Sequence, residues 1–420
     1  MRRPAPATLG VTGEVRVDVT DNHIGRRLRE VRSWRRLSLT AVAGLAGITP
    51  AYLSMIERGL RPVTKRAVLE ALASALQVAP TELTGSPFAP TDAHGSEAHA
   101  AIREVETVLS AVDLGVDPGV TPAPWPELRD RVIHLNTVLR PEADYAAQGR
   151  VVPGLLLQLH AAYVHHPAHR RDVLVGLLHT YHAAAVLTKN LGVRGLPVVA
   201  ARLAQQCAEE LGEPEWLAFA VWLRGHAAGS QGRAHQLAAS VRGIDRLTGA
   251  DGPNVLQARG MLHLNAALAA ASLRDGDTAR VHLDEAAALA QRLPDERENF
   301  AFLHFGVPNV GVWRVSLATE LEEGGKVAEL ARRVNPDELP AKARRAMYWV
   351  DLGRSLLTER ATVEQGIQAL VTAESIAPQR VRNNVFVREA VADLLRRAQR
   401  DSSGRELRGL AWRMGVAPTG

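Results

Sequence analysis

Basic and hydroxyl side chains crowd one short stretch of this 420-residue chain, and their chemistry is that of phosphate binding. Ten Lys and Arg stand against three Glu between Ile24 and Val78, an excess of +7 in 55 residues. The remainder carries 40 basic and 42 acidic residues, so the formal +5 of the whole chain belongs to this stretch. A locally basic module on a near-neutral body is the electrostatic footprint of nucleic-acid binding. Only four of the fifty basic residues are Lys, so Arg richness carries no weight by itself and the clustering does.

Two other groups have types and spacings that suit chemistry. His160, His165, His166, His169, His179 and His182 place six of the fifteen histidines within 23 residues, with helix-compatible spacing at 165/169 and 179/182. Pro167 interrupts the first pair and no Cys or close carboxylate joins them, so they read as surface or interface histidines and no metal is expected. Trp216, Trp222, Trp313, Tyr348 and Trp349 suit either the lining of a concave ligand groove or the core of helical repeats. Nothing resembles a nucleophile elbow, a phosphate-binding glycine loop or a paired-carboxylate site, so neither an enzyme nor a cofactor is expected. The single cysteine, Cys207, excludes an intramolecular disulfide and reads as a small apolar residue on a helix. No run approaches the roughly 20 apolar residues that span a bilayer, and MRRPAPATLG lacks a secretory apolar run. The expectation is a cytoplasmic chain with no membrane partner.

The elements that must position the basic stretch are short helices. Ile24, Leu28 and Val31 recur at i, i+4 and i+7 and give a first helix one apolar face, over which Leu37 closes. Ser38 is placed to cap a second helix running to about Ala46. Gly47 follows where a positive φ is expected, Thr49 caps a third helix, and Pro50 takes its first position, where a missing N–H costs nothing. Val42, Ala43, Ile48, Leu53 and Ile56 fall where the second and third helices must cross steeply, which is helix-turn-helix geometry.

The segment TPAYLSMIERGLRP, Thr49 to Pro62, resembles the phage repressor and Cro-like family, also called the xenobiotic-response-element family. Ala43, Gly47, the Tyr-Leu-Ser triplet, Ile-Glu and Arg-Gly all stand at the family's intervals. The resemblance implies a structural ion pair between Arg32 and Glu57, and binding to double-stranded DNA. Ser38, Leu39 and Thr40 would offer a helix start to a phosphate, while Arg58, Arg61 and Lys65 would hold phosphates beyond the recognition helix. Thr49, Pro50, Ala51, Ser54 and Met55 would face base edges, with Tyr52 at a phosphate or the groove edge. Pro50, Ala51 and Met55 offer only apolar contact, so DNA shape, dimer spacing and phosphate contacts are expected to carry much of the specificity.

Around this module the expected fold is all-α, a five-helix helix-turn-helix domain followed by an α-solenoid of tetratricopeptide-like hairpins. Residues 1–22 read as a tail with Asp21 and Asn22 as N-caps, 23–85 as the DNA-binding domain, 86–98 as a Pro/Gly-rich linker, and 99–420 as the repeat body. Glu215–Leu247, Gln257–Leu293 and Arg344–Pro378 resemble tetratricopeptide hairpins, at intervals looser than the family's 34 residues. The chain resembles bacterial regulators that join these two parts, which implies a peptide or small-molecule effector; a homodimer on a pseudo-palindromic operator is the expected assembly. The alternative is a scaffold whose repeats dock a partner protein.

Overall fold

The apolar period at Ile24, Leu28 and Val31 winds α1, Ile24–Trp34, with Ile24 and Leu28 buried. The computed structural model describes residues 24–84, 93–228, 232–294, 298–398 and 404–416, and the regular elements among them are all helical. Ser38 caps α2, Leu39–Leu45, its Oγ accepting the Ala41 N–H at 3.1 Å. Thr49 caps α3, Pro50–Glu57, its Oγ1 accepting the Tyr52 N–H at 3.2 Å, and Pro50 opens the helix. Between them Gly47 adopts φ +63°, a conformation that a side chain would strain, and α2 and α3 diverge by 111°. Helices α4, Arg66–Ala75, and α5, Pro80–Thr84, complete the unit. Leu28, Val42, Leu53, Ile56 and Leu72 form its core, which also takes in Phe386 from the far end of the chain.

The body runs through α6 (Ala93–Ala111), α7 (Trp125–His134), α8 (Tyr145–His165), α9 (Arg170–Asn190), α10 (Leu196–Leu211), α11 (Pro214–Ala227) and α12 (Arg233–Arg246). It continues through α13 (Pro253–Ser272), α14 (Gly276–Gln291), α15 (Val307–Glu320), α16 (Gly325–Ala331), α17 (Lys342–Leu356) and α18 (Val363–Ile376). Helices α19 (Pro378–Arg382), α20 (Val385–Ala398) and α21 (Arg405–Arg413) end it. The three segments with tetratricopeptide character are the hairpins α11/α12, α13/α14 and α17/α18, stacked in sequence order as an all-α solenoid. Small residues set their spacing: a Cβ on Gly353 of α17 or Gly366 of α18 would lie 3.1 Å from the other's carbonyl oxygen. Alternate helices α9, α11, α13, α15 and α17 form a continuous inner row. The curl of that row brings the two ends of the body together. Lys342 N–H donates to the Pro141 carbonyl at 2.7 Å, and Tyr145 N–H to Gln379 Oε1 at 2.9 Å.

The linker expected over 86–98 is shorter than its composition suggested, because α6 starts at Ala93 and Ala98 is fully buried. Gly95 reads as a breaker in isolation, yet packing of α6 on α8 outweighs its low helix propensity. Residues 86–92, the tail 1–22 and the proposed caps Asp21 and Asn22 lie outside the described residues.

Candidate nucleic-acid interface and the cavity behind it

Helix α3 is oriented by a fork-to-carboxylate pair. Arg32 Nε and Nη2 donate to Glu57 Oε1 and Oε2 at 2.6 and 2.8 Å, and Nη1 donates to the Leu37 carbonyl at 3.0 Å. The hydrogen bond with Glu57 raises the Arg32 pKa above its ordinary value. The pair ties the start of α2 and the end of α3 to α1, and a two-point contact fixes direction as well as distance.

On the outer side, Ser38, Thr40, Thr49, Pro50, Ala51, Arg58 and Arg61 are exposed, while Leu39, Ser54 and Met55 are half-buried. The Arg58 Nε donates back to the Ser54 carbonyl at 3.3 Å, which lays the guanidinium along α3. Two residues expected at phosphates are placed otherwise. Lys65 forms an ion pair with Glu322 of the body at 2.5 Å, so its charge is already engaged. Tyr52 packs on the domain core and lies near Glu322, Arg61 and Arg274; burial, then the Glu322 charge, pushes its phenol up. The cause is the body folding back against the module, a contact between residues some 270 positions apart that no local pattern records.

That contact is polar and extensive. Arg66 N–H and Nε reach Glu320 at 3.4 and 3.5 Å, and Arg354 binds Glu320 at 3.1 Å while its guanidinium donates to the Thr64 carbonyl. Arg354 also lies 4.9 Å from the centre of the Phe386 ring. Arg233 pairs with Glu70 at 3.2 Å, and Arg194 with Glu82 at 2.6 Å. Glu389 accepts the first N–H of α1 at 3.1 Å; burial pushes its carboxyl up to about 7. Each carboxylate here has a cationic or N–H partner from the other unit, so the module is held in one orientation.

Inside the curl of the body lies a cavity of about 210 Å³. Of the five aromatic residues that suit either a groove or the repeat core, Trp222 and Trp313 line this cavity. Trp216, Tyr348 and Trp349 do not. Trp216 packs on Phe300 and Phe219 with ring centres 4.8 and 5.5 Å apart, while Tyr348 donates to the Ala331 carbonyl and meets Trp349 edge-on. These three are repeat core, because helical spacing does not say which side of a hairpin faces the axis.

The cavity wall also holds three arginines, Arg140, Arg344 and Arg380, and no Asp or Glu among the described residues. Arg140 donates to Asn136 Oδ1 at 2.5 Å and lies 3.0 Å from both ring nitrogens of His182. Arg344 donates through Nε to Asn309 Oδ1 at 2.9 Å and stacks 4.4 Å from the centre of the Trp313 ring, while its Nη2 is buried without a hydrogen-bond partner. Burial pushes the Arg140 and Arg344 guanidiniums down to about 10 and lowers that of Arg380. Sequence reasoning missed all three, since nothing in their spacing separates them from the other arginines.

The histidines between 160 and 182 disperse. His160 bonds the Tyr181 hydroxyl at 2.6 Å, His165 pairs with Asp117 at 2.7 Å, His166 lies 3.3 Å from the Ala123 carbonyl, and His169 stacks on Trp125. His179 packs edge-on against Trp216 and Phe302, and His182 faces the cavity. Among the described residues no three His, Cys, Asp or Glu side chains are grouped to hold a metal ion. Nor is any single described helix long and apolar enough to cross a membrane.

Residues 23–84 match the sequence profile of a family described as a helix-turn-helix domain. No curated protein sequence matches the chain. Among solved structures it is similar to Bacillus thuringiensis PlcR in complex with the peptide PapR7 and DNA, at 12% identity and a TM-score of 0.24. That alignment covers 64% of this chain and 95% of PlcR. So low a structural overlap carries no argument about this chain.

Proposed function

We propose that the chain is a DNA-binding transcriptional regulator in which residues 23–85 read an operator and residues 99–420 sense an effector and carry dimerisation. The observation that bears most on this reading is the α2–turn–α3 unit. Its 111° bend, capped helix starts and Arg32–Glu57 brace present Thr49, Pro50 and Ala51 outward on a module with a +7 excess. On this reading Thr49, Pro50, Ala51, Ser54 and Met55 enter the major groove, and Ser38, Thr40, Arg58 and Arg61 contact the phosphates on either side. Lys65 and Tyr52 are assigned to the contact with the body. A homodimer would present two such helices to a pseudo-palindromic site.

The effector is a peptide or small signalling molecule taken up by the helical body, and double-stranded DNA is the macromolecular partner. A gel-shift titration with genomic fragments from upstream of the gene itself tests the reading at two salt concentrations. One preferred fragment, bound much more weakly at the higher salt, supports it; equal binding to every fragment sinks it.

A further inference from the structure

The geometry points to the cavity in the helical body as a binding site for a small organic anion. Its carboxylate or phosphate head would be seated by Arg140, Arg344 and Arg380, and its apolar body would lie against Trp222 and Trp313.

Three cations line one concave space with no carboxylate on its wall among the described residues. The acid whose charge reaches Arg344 and Arg380 is Asp351, and it is already engaged: Arg354 binds it at 3.0 Å and the Ser316 hydroxyl donates to it. Arg344 Nη2, buried without a partner, is an unused donor of the kind that costs stability unless something accepts from it. A planar guanidinium fork fits a carboxylate or phosphate at two points, and stacking on Trp313 fixes the plane of the Arg344 fork. Met261, Phe302, Leu303 and Met347 add apolar surface beside Trp222 and Trp313, so a bare inorganic ion would leave most of the cavity unfilled.

Calling this ligand the effector rests on the regulator reading above. The route to the DNA-binding module is short: Arg344 and Arg354 lie on the same helix, α17, ten residues or about 15 Å apart. Arg354 is the residue that holds the Thr64 carbonyl.

The test uses the full chain without DNA, so its failure and failure of operator binding are separate results. Phenylacetate, phenyl phosphate, inorganic phosphate and the neutral benzyl alcohol are titrated while thermal unfolding and tryptophan emission are recorded. The wild type should be stabilised, and its emission changed, by one or both aromatic anions, with inorganic phosphate weaker and benzyl alcohol inactive. The stronger of the two aromatic anions identifies the head group. Arg344→Gln and Arg380→Gln should lower the apparent affinity at least tenfold while melting, ligand-free, no lower than wild type. Arg344→Lys, which keeps the charge and loses the fork, should fall between. Arg333→Gln, on the exposed face of the body, should match wild type. Equal binding of benzyl alcohol, no response of the wild type to either anion, or unchanged affinity in the glutamine variants would overturn the proposal.

Discussion

Leu53 and Glu57 sit one turn apart on α3 and do different work. Leu53 is fully buried in the core of the module, so Leu53→Ala should cost about 2–5 kcal/mol of unfolding free energy, read by urea denaturation. Glu57 is an acceptor for a charged fork, and Glu57→Ala leaves the Arg32 guanidinium without it, at a cost of about 1.5–3 kcal/mol. The distinguishing readout is DNA binding in conditions where both variants remain folded. Glu57→Ala frees α3 to turn and should weaken binding to every duplex, whereas residual folded Leu53→Ala should bind as wild type. At the outer surface, Ser54→Ala should alter preference at one base step, and Arg58→Ala should weaken all sequences about equally. Equal effects of those two on a panel of operator variants would remove α3 from the groove.

At the level of elements, the short helices were legible because their signals are local. Ser38, Gly47, Thr49 and Pro50 each act within three or four residues of themselves, and each stands in the structure where its type requires. The hairpins at Glu215–Leu247, Gln257–Leu293 and Arg344–Pro378 were legible for the same reason, their turns and small residues being local too. What was not legible depends on which elements meet. The pairing of Lys65 with Glu322, the capping of α1 by Glu389 and the inward direction of Arg140, Arg344 and Arg380 are all set by the curl of the body. Close approach inside that curl gives a test. A Cβ on Gly260 of α13 would lie 1.9 Å from the Phe305 ring, so Gly260→Ala should lower the thermal midpoint, with an overpacking cost of about 1–3 kcal/mol. An unchanged midpoint would mean that Phe305 is not packed on α13. Reversal of Glu322 to Lys tests the docking contact. Repulsion from Lys65 should increase protease cleavage between the module and the body, and a cleavage rate equal to wild type would exclude the pairing.

For the whole molecule, the pH dependence of stability follows from its buried histidines. Burial holds His160, His263 and His304 at about 4 and His179 at about 3, and it holds His182 and His226 well below the ordinary imidazole value. These six are neutral in the folded chain, whereas the unfolded chain takes up protons at them below about pH 6.5. The unfolded state therefore binds more protons, and stability falls as pH drops from about 6.5 toward 4. Glu389, pushed up to about 7, works in the opposite direction between its ordinary value and 7, as do Glu70 and Asp393, whose carboxyls burial also raises. Three carboxyls against six imidazoles leave the net sign unchanged. The urea midpoint should be lower at pH 5 than at pH 7.5, and an equal or higher midpoint would contradict the burial of the histidines.

Through its charge distribution the whole molecule also makes the claim on which the regulator reading stands. On that reading, a +7 module whose braced α3 exposes Pro50 and Ala51 beside Thr49 should release counterions from DNA and still choose among sequences. The direct measurement is fluorescence anisotropy of the full chain on its preferred upstream duplex and on a scrambled duplex, across a salt series, for wild type and Arg58→Ala. Log affinity should fall linearly with log salt, the preferred duplex should bind at least about a hundredfold more tightly, and the slope should be about one unit shallower for Arg58→Ala. A flat salt response with equal affinity for both duplexes would contradict the regulator reading.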